Sequence, residues 1–176
     1  MHADFRRNHF ELFGFAPMFQ IDAGKLEAAY RAFQRRVHPD RYVQAADTER
    51  RLALQWATRA NEAYRTLKHP LERACYLLQL HDVDPLAETD TTVPPDFLLR
   101  QMEWRETLGE ARAQGDTAAL DRLGTALVAE TRALYPQLAS KLDVERDPAS
   151  AAQIVRKLKF LEKLADEIAD AQAALE

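Results

Sequence analysis

Apolar positions recur along this chain at helical spacing, and almost nowhere do they alternate as they would in a strand. The first such segment is short. Asn8 followed three residues later by Glu11 is a capping-box pattern, and Gly14 and Pro17 end the helix it opens. Asp22 can cap a second helix running to about Val37, with Leu26, Tyr30, Phe33 and Val37 on one stripe. Asp47 or Thr48 can cap a third, through Lys68, with Leu52, Trp56, Ala60, Ala63 and Leu67 turned inward. Pro70 suits the first turn of a fourth helix, from Leu71 to about His81.

Residues 82–96, DVDPLAETDTTVPPD, hold three prolines and no periodicity, which predicts a linker. Three further helices are expected beyond it, over about 97–114, 116–141 and 149–175. Short breaks between long amphipathic helices predict an antiparallel three-helix bundle. In its last helix Ile154, Leu158, Leu161, Ala165 and Ile168 form the inward stripe, and Phe160 projects off it. The chain is therefore expected to be all-α, with residues 1–81 as one domain, 82–96 as linker and 97–176 as a second domain.

Composition agrees with helix: there are five glycines in 176 residues, and Ala, Leu, Glu, Gln and Arg abound. The net charge of −4 is unevenly spread. Residues 1–80 carry 13 basic and 9 acidic side chains, and residues 81–176 carry 11 and 19, which suggests two modules with different partners. Cys75 is the sole cysteine, so no intrachain disulfide and no cysteine-based metal cluster can form; within ACYLLQL it reads as a packed small residue. The start, MHADFRRNHF, does not read as a signal peptide, and no apolar run is long enough to span a membrane. A cytoplasmic monomer without cofactor is expected.

The stretch RRVHPDRY, residues 35–42, interrupts two helices. Pro39 fixes its own backbone and restricts His38 to extended geometry, so the loop can continue neither helix. Arg31 and Arg35 lie away from the apolar stripe, and Arg36 and Arg41 flank the tripeptide, giving a basic face that ends in an imidazole and a carboxylate. A catalytic His38–Asp40 pair would need a nucleophile, metal ligands or an oxyanion site; the other histidines are His2, His9, His69 and His81, with no metal-ligand spacing. The basic face falls short of a nucleic-acid footprint. A helix terminator beside a solvated basic face is the plain alternative.

Helix 97–114 has more apolar residues than one core face requires. Phe97, Trp104, Leu108 and Ala111 share a stripe, whereas Leu99 and Met102 lie on the other side with Glu103, Glu106 and Glu110, and Leu98 sits on the border. An apolar pair rimmed by carboxylates reads as a binding patch. Packing of Leu99, Met102 and Phe160 against a neighbouring helix is the competing reading.

FELFGF, then KLEAAYRAFQRRVHPDRY, then a helix ending in NEAYRTLKHP resembles a J domain, a helical hairpin with short flanking helices. With HPLERACYLLQLHD, DFLLRQMEWRETL and VRKLKFLEKL, nearly the whole chain resembles the HscB/Jac family of co-chaperones. The resemblance implies that His38, Pro39 and Asp40, with Arg31, Arg35, Arg36 and Arg41, contact an HscA/DnaK-class ATPase chaperone and stimulate it. It also implies that Leu98, Leu99, Met102, Glu103, Glu106, Glu110 and Phe160 bind the iron–sulfur scaffold IscU, which the chain delivers to that chaperone. An adaptor for a different client of the same chaperone class shares the trigger and differs in the patch. Neither reading calls for catalysis by the chain itself, for nucleic acid or for a membrane.

Overall fold

In the computed structural model, residues 7–38, 42, 45–85 and 94–175 are described. No strand occurs among them. The helices are α1 (His9–Leu12), α2 (Ala23–Val37), α3 (Asp47–Lys68), α4 (Pro70–Leu80), α5 (Pro95–Gln114), α6 (Thr117–Ala139) and α7 (Pro148–Ala173). The chain divides into two compact units, residues 1–77 and 78–176, so the division falls inside α4. Most of the segment expected as linker, residues 86–93, lies outside the described residues.

In the first unit, the N-terminal caps of α1 and α2 are those the sequence prescribes. The side chain of Asn8 accepts from the Glu11 amide, whose own carboxylate accepts in return from the Asn8 amide. Asp22 accepts from the Lys25 amide and starts α2. The α3 start differs from expectation. Ala46 holds the cap position with no side-chain bond, and Asp47 is the first helical residue, ion-paired to Arg50 one turn on. An acid in the first turn still favours that end of the helix dipole.

Helices α2 and α3 form an antiparallel-looking hairpin, with α1 packed on α3. The core contains Phe10, Leu26, Val37, Trp56, Ala60, Ala63 and Leu67, all nearly inaccessible. Tyr30 and Phe33, expected inward, are half-buried along the seam, where Phe13 meets both rings edge-on. Leu52 is only half-buried, and Ala53 is the buried residue at that level. A close helix–helix approach accepts the small side chain and turns the larger one to the margin. Cys75 is buried, as its apolar surroundings predict.

In the second unit α5, α6 and α7 each pack against the other two. Gly115 ends α5 in left-handed geometry (φ 67°), and Asp116 caps α6 by accepting from the Ala119 amide. Helix α6 stops at Ala139 and runs into a wider, π-type turn over Ser140–Glu145, closed by Arg146 in left-handed geometry. Ala165, expected inward, is exposed; Leu164 is fully buried in its stead. Helix α7 touches two neighbours, so its buried arc is wider than one stripe, and the larger apolar side chain of the adjacent pair takes the interior.

Candidate interaction surfaces

The first surface lies on α2. Arg31, Arg35 and Arg36 are exposed, and His38 is the exposed C-cap residue, extended at φ −60°, ψ 131°. That is the geometry its proline neighbour demands. Pro39, Asp40 and Arg41 lie outside the described residues. Arg36 rests 5.9 Å from the Phe33 ring centroid, and Tyr42 donates its hydroxyl to the Arg36 carbonyl at 3.1 Å. Arg31, Gln34, Arg35 and His38 line a groove of about 390 Å³.

A polar seam between α2 and α3 backs this groove, and the sequence reading did not single it out. The Arg31 Nε donates to Glu27 at 2.7 Å, and the Tyr64 hydroxyl donates to the other oxygen of the same carboxylate. These two bonds, Tyr64 first, hold the Glu27 carboxyl below its ordinary pKa, and the same bond pushes the Tyr64 phenol up. Tyr30 stacks on Tyr64 with centroids 4.0 Å apart and donates to Asn61 Oδ1 at 2.9 Å. The Gln34 amide nitrogen donates to the Tyr30 hydroxyl at 2.5 Å and, more weakly, to Asn61 Oδ1 at 3.4 Å. The signal available in the sequence was the spacing: residues 27, 31, 34 and 38 fall on one helical stripe.

The second surface lies on α5. Phe97, Trp104, Leu108 and Ala111 are buried, as expected. On the opposite side Leu98, Leu99 and Met102 are 49%, 61% and 61% exposed. Glu103, Glu106 and Glu110 are exposed around them. Phe160 behaves differently. It is half-buried, its ring edge-on to Phe97 at 5.8 Å and parallel to Trp104 at 6.3 Å, with the Arg105 guanidinium 5.5 Å above it. Phe160 therefore combines the two readings open at the sequence level: it packs on a neighbouring helix and still reaches the surface.

Two ion pairs flank this seam, Arg100 with Glu130 of α6 at 3.0 Å and Arg105 with Glu167 of α7 at 3.4 Å. Among the described residues, no group of three or more His, Cys, Asp or Glu is placed to hold a metal ion. No helix among them is long and apolar enough to cross a membrane.

A helical hairpin with a basic face on α2 and a three-helix bundle of α5, α6 and α7 are the two parts expected of a J-domain co-chaperone of this kind. Residues 93–169 match the HSCB C-terminal oligomerisation domain. The co-chaperone protein HscB homolog of Ralstonia nicotianae is 53% identical over 163 residues, 93% of each chain. Among solved structures, the chaperone HscB of Vibrio cholerae is 38% identical with a TM-score of 0.81, over 97% of this chain and 100% of that one. Human co-chaperone protein HscB is 31% identical with a TM-score of 0.86, over 94% and 82%. The chain belongs to the HscB family of co-chaperones, regulators of another protein's activity rather than enzymes.

Proposed function

We propose that this protein stimulates ATP hydrolysis by an Hsp70-type chaperone of the HscA/DnaK class and delivers an IscU-type iron–sulfur scaffold to it, in the cytoplasm. The observation that carries the reading is the pairing, on one chain of this family, of two surfaces with opposite character. One is the basic groove of Arg31, Gln34, Arg35 and His38; the other is the apolar face of α5 among Glu103, Glu106 and Glu110. Two such surfaces suit two different partners.

In this reading the first domain, residues 1–81, acts on the chaperone through His38, Pro39, Asp40, Arg31, Arg35, Arg36 and Arg41. Asp40 supplies a charge-assisted acceptor, and the arginines meet an acidic surface. No bond is made or broken by the chain. It binds more tightly to the hydrolysis-competent arrangement of its partner, and so raises that population. Beyond the linker at 82–96, the bundle at 97–176 carries the scaffold on Leu98, Leu99, Met102, Glu103, Glu106, Glu110 and Phe160. Joining two modest contacts on one chain raises the effective concentration of scaffold at the chaperone.

The test is single-turnover ATP hydrolysis by the chaperone alone, with the protein, and with its Asp40→Asn variant. Stimulation that vanishes in the variant supports the trigger; no stimulation by the wild type overturns the proposal. Scaffold that fails to bind while stimulation persists leaves a J-domain adaptor for another client.

A further inference from the structure

The groove on α2 is more than a cluster of positive charge, because one of its four walls is a side-chain amide held in place. Gln34 lies between Arg31, Arg35 and His38. Its amide nitrogen is engaged by Tyr30 and Asn61, which are held in turn by the Tyr30–Tyr64 stack and the bond between them. What Gln34 has left to offer a ligand is its carbonyl oxygen, which accepts from none of the described residues. Arg31 is similarly prepared: Glu27 takes its Nε, fixing a long side chain that is otherwise costly to order.

Resting on the function proposed above, we infer that Gln34 is a specificity-determining residue of the chaperone contact, and that the groove takes an acidic polypeptide segment presenting a hydrogen-bond donor between its carboxylates. The arginines satisfy the anions. The Gln34 oxygen requires the donor, and an anionic ligand without one leaves that oxygen desolvated and unpaired. Tyr30 and Asn61 act through Gln34 as positioning residues. The polar seam thereby converts an unspecific charge attraction into a requirement for polypeptide chemistry.

The experiment titrates wild type, Gln34→Met and Arg35→Ala into the single-turnover assay with an Hsp70-class chaperone, at low and at high salt. Methionine matches the length of glutamine and favours helix equally. Loss of one such hydrogen bond raises the half-stimulating concentration about fivefold, with maximal rate unchanged and the same ratio at both salt concentrations. The defect of Arg35→Ala shrinks as salt rises. Tyr30→Phe, which keeps the ring stack and removes the shorter of the two bonds on the Gln34 amide, raises the half-stimulating concentration about twofold. Thermal melting monitors the fold, and Tyr30→Phe decides the matter if Gln34→Met melts early. Titrations of Gln34→Met and Tyr30→Phe that superimpose on wild type overturn the inference and leave the proposed function standing; so does a Gln34 defect that fades with salt. A wild type that gives no stimulation removes both, and its own trace alone reveals that case.

Discussion

Replacing Leu98, Leu99 and Met102 together by alanine separates binding from folding. Fully burying such a side chain is worth about 1.5–3 kcal/mol. These three remain 49%, 61% and 61% exposed, so roughly half of that is still available to a partner. A scaffold that covers all three gains about 1 kcal/mol from each, so the triple variant loses about 3 kcal/mol, or on the order of a hundredfold in Kd. The fold should scarcely notice. Exposed positions away from packing change stability by within about 0.5 kcal/mol each, and alanine is at least as good a helix former. Titration calorimetry against an IscU-type scaffold gives the binding change, and urea denaturation of the same preparation gives the stability change. An unchanged Kd refutes the patch. A loss of several kcal/mol in stability refutes its exposure, since side chains that matter so much to the fold belong to the core.

Phe160→Ala should differ from that triple variant in kind. Removing a half-buried ring from contact with Phe97 and Trp104 costs about 2 kcal/mol of stability in addition to weaker scaffold binding, seen as a lower urea midpoint. His9 stacks on Tyr76 at 4.2 Å, and burial lowers its pKa below the ordinary value, with Arg59 lowering it further and Glu62 opposing. The unfolded chain therefore binds the proton more readily, and stability falls as pH drops below about 6.5 toward the lowered folded value. Thermal melts across pH 7.5 to 5 should show a slope that His9→Gln flattens; parallel slopes would sink the assignment. Gly115→Ala forces a Cβ into left-handed backbone at φ 67° and should cost about 1 kcal/mol, although the nearest atom, Cδ2 of Leu175, stands a comfortable 3.9 Å away. Gly115→Asn should recover part of the loss in the same denaturation series.

Element types and most boundaries follow from the sequence alone, because caps and periodicity are local. Asn8 with Glu11, Asp22, and Gln114-Gly115-Asp116 mark ends whose hydrogen bonds close within three or four residues, and the structure places each where the pattern does. That Leu99 and Met102 lie off the inward stripe of α5 was legible for the same reason, since Phe97, Trp104, Leu108 and Ala111 already fill it; that they stay exposed rather than pack on a neighbour is seen only in the structure. Where a position could satisfy two neighbours, the local pattern could not decide. Ala53 over Leu52 and Leu164 over Ala165 are choices made by the shape of the facing helices, which one helix's periodicity does not contain. The double character of Phe160 arises in the same way, from the distance between α5 and α7. Above all, the seam of Glu27, Tyr30, Gln34, Asn61 and Tyr64 joins residues up to 37 positions apart, and its direction of donation emerges only when two helices are laid side by side. The sequence could supply a basic face; only tertiary packing could give it a fixed neutral acceptor.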